Sequence, residues 1–155
     1  MKTLQQWFDE YAVSHQNPTN KSIHYICVPL IFFSIVGLLM SIPFPDLSFH
    51  FDYQYLLLNW ATIALVFVFV FYLRLSVTIA ISMFIFSILC ILCNAMIAQR
   101  TSLWIVSLVI FAVAWIGQFY GHKIEGKKPS FLKDLQYLLI GPAWVMNHLL
   151  KNISY

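Results

Sequence analysis

The 25 residues from Leu75 to Gln99, LSVTIAISMFIFSILCILCNAMIAQ, contain no charged side chain. An α-helix rises about 1.5 Å per residue, so roughly 20 apolar residues cross the hydrocarbon core of a bilayer. This stretch is therefore long enough to span a membrane as a helix. Three other charge-free runs have 21 to 24 residues each: 22–45, 53–73 and 101–122.

The four runs predict an all-α integral membrane protein whose transmembrane helices lie at about 23–42, 54–73, 75–98 and 102–121. The composition supports this class, because 61% of the 155 residues are hydrophobic and 10% are charged. Soluble domains have about 45–50% apolar and about 25% charged residues. We therefore predict a single membrane-embedded domain, residues 1–155, in place of a soluble protein.

The basic residues are distributed unevenly between the predicted loops. Cytoplasmic loops of membrane proteins carry an excess of Lys and Arg. If both termini are cytoplasmic, eight basic residues lie on that side and only Arg100 lies outside. We predict this topology, in a bacterial inner membrane or the endoplasmic reticulum. Nucleic acid is excluded as a partner because the basic residues form no dense patch.

Two segments flank the predicted spans. Residues 3–14 begin with a possible capping box of Thr3 and Gln6 and place large side chains on one helical face, which predicts an interfacial helix. Those side chains are Leu4, Trp7, Phe8, Tyr11 and His15. Residues 135–150 are uncharged but interrupted by Gly141-Pro142, and we interpret them as a re-entrant or surface-lying pair of half-helices.

Four histidines fall on the predicted cytoplasmic face: His15, His24, His122 and His148. Imidazole is a common metal ligand, and ionisable groups at membrane depth are candidates for function. We therefore predict a metal centre, against the alternative that each ring only contacts a backbone carbonyl or the headgroup layer. His50 lies in the opposite loop between Phe49 and Phe51 and is interpreted as an interfacial residue without a chemical role.

The residues around His122 and before the first span add three expectations. Glu125 is three residues from His122, so on a continuing helix the two side chains face the same way. Three roles are possible for Glu125: a metal ligand, a partner that orients a histidine ring, or one half of an ion pair with Lys127 or Lys128. Gly117 and Gly121 predict close approach of another helix. A turn of polar residues, Asn17-Pro18-Thr19-Asn20, is expected to bring His15 and His24 together.

The chain thus contains the motif His15-x-Asn17-Pro18-x-Asn20-x3-His24-x4-Pro29 and, near its end, Gln118-x2-Gly121-His122 with Glu125 and Pro129. These motifs resemble those of the 2-hydroxy fatty acid dioxygenases of fatty acid α-oxidation, and the resemblance covers almost the whole chain. It implies an Fe(II)-dependent membrane enzyme that uses O2 to remove one carbon from a 2-hydroxy fatty acid as CO2.

The resemblance also implies roles for residues. His15, His24 and His122 occupy the histidine positions of the family, and His148 stands where many members carry an acidic residue. The implied metal ligands are these four histidines, and the implied catalytic residues are His15, His24, His122 and Glu125. An acyl chain would lie among the spans while Lys123, Lys127, Lys128 or Lys133 attracts the carboxylate, unless those lysines only set the topology.

Three other classes of function compete with this interpretation. A transporter is disfavoured because the second and third predicted spans contain almost no polar residue at mid-depth. A zinc-dependent membrane lipid hydrolase and a non-catalytic lipid-binding protein are both compatible with the sequence. The metal and the use of O2 distinguish them from the dioxygenase.

Overall fold

The computed structural model describes residues 2–45, 54–126 and 137–153. Every regular element in these ranges is a helix, as predicted, and no residue within them belongs to a strand. The helices are α1 (Leu4–Ala12), α2 (Pro18–Met40), α3 (Gln54–Leu57), α4 (Trp60–Leu75), α5 (Val77–Ala98), α6 (Leu103–Glu125) and α7 (Ile140–Ile153).

Three helices of the described residues, α2, α5 and α6, are long and apolar enough to cross a membrane. The predicted span 54–73 differs, because a bend at residues 58–59 divides it into α3 and the 16-residue α4. The bend has a local cause: Asn59 Oδ1 accepts a hydrogen bond of 2.9 Å from Thr62 N and so caps α4. Asparagine favours this capping position over the interior of a helix.

The antiparallel helices α2 and α6 approach each other at glycines. A Cβ atom at Gly117 would lie 2.6 Å from Cys27 Sγ, and one at Gly121 would overlap Asn20 Oδ1. Since neither glycine carries a side chain, the two backbones can pack closely there. The close helix approach predicted from Gly117 and Gly121 is confirmed.

The helices α5 and α4 complete the bundle beside α2. Asn94 of α5 donates from Nδ2 to the carbonyl of Phe33 in α2 at 3.2 Å, which ties these two helices together. On the other side of α5, the rings of Phe69 and Phe84 lie 5.2 Å apart between α4 and α5. Large apolar side chains such as Phe67 and Ile116 are exposed on the outer surface, which fits a lipid environment.

The two ends of the chain pack on each other. The predicted capping box is present, since Gln6 N donates to Thr3 Oγ1 and Thr3 N donates to Gln6 Oε1. The aromatic face of α1 lies against the C-terminal segment, where the ring of Tyr11 is 5.4 Å from Tyr137 and 5.3 Å from Trp144. The side chains Phe8 and Tyr11 of this predicted interfacial helix are therefore buried in protein.

The C-terminal segment differs from the prediction at Gly141-Pro142. This pair lies in the first turn of α7 and does not separate two half-helices. Proline is tolerated there because the first amides of a helix have no partner within the helix. The helix packs against α1, α2 and α5, and Ile140, Ala143 and Val145 are almost completely buried.

Candidate metal centre

The turn between α1 and α2 positions the first two histidines. Asn17 caps α2 by accepting hydrogen bonds at Oδ1 from Thr19 N (2.9 Å) and Asn20 N (3.4 Å), and Pro18 occupies the first helical position. Proline suits that position because its fixed φ is already helical. As predicted, the turn brings the imidazole rings of His15 and His24 together, with centroids 4.3 Å apart.

The third histidine comes from the end of α6. The absence of a side chain at Gly121 lets α6 approach Asn20, one helical turn before His24. The ring of His122 consequently lies 5.0 Å from that of His24 and 5.5 Å from that of His15. The structure therefore brings together three of the four predicted metal ligands from three separate segments.

The donor atoms of this triad, His15, His24 and His122, fit a single metal ion. One ring nitrogen from each residue lies within 4.8 Å of the other two, and all three residues are buried. The triad is the candidate metal group among the described residues. Three imidazoles suit Zn, Fe, Cu or Ni and leave further coordination positions open.

Backbone carbonyls fix the orientation of two of the rings. His15 Nδ1 is 2.6 Å from Tyr11 O, and His24 Nδ1 is 2.9 Å from Asn20 O. Because a carbonyl oxygen can only accept, each Nδ1 carries the proton and each Nε2 keeps its lone pair for a metal. The ring of Tyr11 also stacks on His15, with centroids 4.1 Å apart.

Glu125 lies beside the triad but is outside the candidate metal group. Its Oε1 accepts from Gln16 N at 2.8 Å, while Oε2 accepts from Asn17 N and Asn20 Nδ2, both at 3.0 Å. These bonds tie the end of α6 to the turn that carries His15. None of these three bonds goes to a histidine ring, so the expected role of Glu125 in orienting a ring stays a prediction. Lys127 and Lys128 are outside the described residues.

The structure does not bring His148 into the triad. Its ring stacks on Tyr25 with a centroid distance of 4.5 Å, and Tyr25 in turn stacks on Trp144 at 5.4 Å. His148 is on α7, and the orientation of α7 about its own axis places this ring in the aromatic stack. His50, which was predicted to be an interfacial residue without a chemical role, lies outside the described residues.

A pocket of about 40 Å³ opens beside the triad. Its lining includes the buried amide of Gln118 and the rings of Tyr11, Trp115 and Tyr137. Gln118 was predicted only as a motif residue, and no site role was predicted for the three aromatic residues. The four-residue spacing of Tyr11 and His15 indicates that Tyr11 lies beside this candidate ligand, since it places both residues on one helical face.

The fold and the triad define an all-helical protein, with helices suited to a membrane, in which three buried histidines can bind a metal ion. The chain belongs to the family described as 2-hydroxy-palmitic acid dioxygenase Mpo1-like, whose model matches residues 1–153. This confirms the family resemblance seen in the two motifs. No curated protein and no solved structure matches the chain.

Proposed function

We propose that the protein is an iron-dependent dioxygenase that converts a 2-hydroxy fatty acid and O2 to the fatty acid one carbon shorter, CO2 and water. The observation that carries this proposal is the buried triad of His15, His24 and His122 in a chain of the dioxygenase family. In the balanced reaction the C1–C2 bond breaks, C1 leaves as CO2, and C2 is oxidised from an alcohol to a carboxyl group while O2 is reduced.

The triad would hold the iron through Nε2 of His15 and His24 together with a ring nitrogen of His122. When bound, iron supplies the activation of O2 and a chelating site for the 2-hydroxy carboxylate. The carbonyls of Tyr11 and Asn20 keep the two Nδ1 protons in place, so that the rings present the same donor atoms throughout the reaction.

The surroundings of the triad serve to orient the head group and to exclude water. Gln118 lines the pocket, and its amide can donate to a carboxylate or accept from the 2-hydroxyl group. The burial of all three histidines limits access of bulk water to the reacting carbons. Lys123, one residue beyond His122, adds a positive charge that attracts the substrate anion toward this end of the bundle.

A zinc-dependent lipid hydrolase is the second candidate, because three histidine donors are compatible with zinc as well as with iron. Three histidines with an open position also form the zinc site of some hydrolytic and hydrating enzymes. Among the described residues the candidate metal group contains no carboxylate, since Glu125 is outside it, whereas iron oxygenases commonly use one. The two candidates therefore differ in their metal and in their use of O2.

Metal analysis after anaerobic purification, joined to an oxygen-electrode assay with 2-hydroxypalmitate, tests the proposal. We expect about one iron per chain and O2 uptake that depends on the 2-hydroxy acid. The matched substrate control is palmitate, which lacks the 2-hydroxyl group and is expected to give no uptake. Zinc without O2 uptake would favour the hydrolase, and a metal-free protein would favour lipid binding alone.

A further inference from the structure

The pocket beside the triad is too small for a complete fatty acid. Its volume is about 40 Å³, and by the same measure one buried water needs roughly 10–15 Å³. The pocket therefore has room for about three or four water-sized groups. That matches a 2-hydroxy carboxylate head group, so the acyl chain of the proposed substrate must lie elsewhere.

A larger cavity of about 240 Å³ lies between α4 and α5. A dry apolar cavity of about 150 Å³ admits benzene, which has six carbons, so this volume suits roughly ten carbons of an acyl chain. Its lining is almost entirely apolar, and polar groups come only from Thr62, Tyr72 and Ser87. This cavity, called the α4–α5 cavity below, therefore has the chemistry of a hydrocarbon site.

The inner end of the α4–α5 cavity comes close to the triad pocket. Tyr72 and Met83 line this end and are almost completely buried. The Tyr72 hydroxyl donates a 2.5 Å hydrogen bond to the carbonyl of Leu139. Leu138, the preceding residue, lines the triad pocket. Tyr72 on the cavity wall thus contacts the 138–139 segment that borders the triad pocket.

The outer side of the same cavity reaches the surface that fits lipid. Three of its lining residues are exposed over about half of their surface or more: Leu57 (61%), Val66 (56%) and Phe84 (49%). In a bilayer these side chains would contact lipid acyl chains. A fatty acid dissolved in the membrane can therefore insert its tail between α4 and α5 without passing through water.

We infer that the α4–α5 cavity binds the acyl chain of the 2-hydroxy fatty acid, which enters laterally from the bilayer and passes Tyr72 to place its head group at the triad. This inference rests on the proposed function for the identity of the head group. Ser87 lies buried on the cavity wall and is the position where added volume shortens the space for the chain.

Photo-crosslinking of the metal-loaded, full-length protein in lipid nanodiscs tests the inference. The probe is 2-hydroxypalmitic acid with a diazirine near the end of its chain. We expect crosslinks within residues 62–69 and 83–91, and we expect excess 2-hydroxypalmitate to remove them while methyl palmitate leaves them. Crosslinks elsewhere that respond to the competitor, or crosslinks in the cavity that do not, would overturn the inference.

A matched pair of substitutions in α5 tests the role of the cavity volume. Ser87→Leu adds the volume of about two carbons, and each methylene excluded from an apolar site reduces affinity about fourfold. We therefore expect about a 15-fold fall in the ratio of probe labelling by the C16 acid to labelling by a C10 analogue. Ser82→Leu makes the same change on the same helix outside the cavity lining and should leave this ratio unchanged.

The outcomes separate this inference from the proposed function. Competable labelling of the cavity without O2 uptake would support the acyl-chain site and contradict the dioxygenase. O2 uptake with equal labelling ratios in Ser87→Leu and Ser82→Leu would overturn the acyl-chain site and leave the dioxygenase standing. If Ser87→Leu does not fold, Ser87→Val replaces it. Because valine adds less volume, a smaller fall in the ratio of C16 to C10 labelling is expected, and an unchanged ratio would overturn the acyl-chain site.

Discussion

At the scale of single residues, the site depends on three rings that converge in a buried space. His15 and His24 are oriented by carbonyls within their own segments, so their positions follow from local backbone structure. His122 has to be brought in by packing of α6 on α2. Removal of any one ring leaves two donors, which is fewer than the three protein ligands typical of a catalytic metal site.

Alanine substitution of His15, His24 or His122 is expected to remove bound metal and turnover. The loss of affinity should exceed the roughly 10–100-fold loss caused by removing a hydrogen bond to a ligand. Membrane insertion should persist, since long apolar helices drive it. Metal content per folded protein, measured by atomic emission after chromatography, provides the check.

His148→Ala and His50→Ala are the controls for these substitutions. His148 stacks on Tyr25 and is not part of the candidate metal group, so its removal should leave the metal content unchanged. A loss of metal in His148→Ala equal to that in His122→Ala would place His148 among the ligands, contrary to the geometry. The same result for His50→Ala would show that the site is not confined to the triad.

Glu125→Gln tests whether this carboxylate positions the turn of His15. Its two oxygens accept three hydrogen bonds, and a glutamine amide nitrogen cannot accept any of them. We expect about a tenfold loss in metal affinity and a loss of about 1–3 kcal/mol in stability, measured by metal titration and thermal unfolding.

Glu10→Gln is the matched control, because Glu10 forms an exposed ion pair with Lys2 at 2.7 Å on α1. Exposed pairs contribute about 0–1 kcal/mol, so this variant should differ little from the wild type in either measurement. If Glu125→Gln and Glu10→Gln bind the metal with equal affinity, Glu125 does not position the turn of His15.

At the scale of helices, the contact between α2 and α6 determines whether the triad can form. Both helices are long, but their separation at the level of the histidines is set by one small residue. Gly121 faces Asn20, whose Nδ2 also donates to Glu125. The packing of the helices and the hydrogen bonds of the turn are therefore coupled at a single point.

Gly121→Ala is expected to push α6 away from α2, because the added Cβ would overlap Asn20 Oδ1. Overpacking of this kind costs about 1–3 kcal/mol, and the displacement moves His122 away from His24. Metal affinity should fall by about tenfold or more, and thermal stability should fall with it.

Gly126→Ala serves as the comparison for this effect. Gly126 ends α6 with a φ of 72°, and a Cβ there meets no atom within 4 Å. Its left-handed conformation makes alanine cost about 1–2 kcal/mol through backbone strain alone. Stability should fall in both variants, but metal affinity only in Gly121→Ala; equal metal affinities would contradict the packing argument.

Much of this arrangement follows from sequence because it depends on local rules. Charge-free runs predict the long helices, and Asn17-Pro18 predicts the turn before α2. The positions of His148 and Glu125 depend instead on how α7 and the end of α6 rotate against their neighbours, which no local pattern encodes. Similarly, the sequence Gly141-Pro142 predicts a break between two half-helices, whereas the structure places this pair in the first turn of α7.

At the scale of the whole molecule, the antiparallel pairing of α2 and α6 constrains the path through the membrane. The start of α2 and the end of α6 lie together at the triad. If both helices span, the chain between them crosses an even number of times. If α5, which is long enough, also crosses, the shorter α4 is expected to cross as well, with α3 or a thinner bilayer making up its length.

We therefore expect both termini on the same side of the membrane, and the distribution of Lys and Arg predicts that this side is the cytoplasm. Fusions of alkaline phosphatase and of green fluorescent protein at each terminus measure this directly. Green fluorescence and low phosphatase activity at both ends are the expected result. Termini on opposite sides would contradict the crossing of α4 and the shared face of the triad.

Release of the carboxyl carbon as CO2 is the step that separates the proposed dioxygenase from a hydrolase or a lipid-binding protein. Iron-loaded protein in nanodiscs is incubated under O2 with 2-hydroxypalmitate labelled with ¹³C at C1, beside an identical preparation of the His122→Ala variant. We expect equal amounts of ¹³CO2 and pentadecanoic acid from the wild-type protein and neither product from the variant. Absence of ¹³CO2 from the iron-loaded wild-type protein, or its equal release by His122→Ala, would contradict the account.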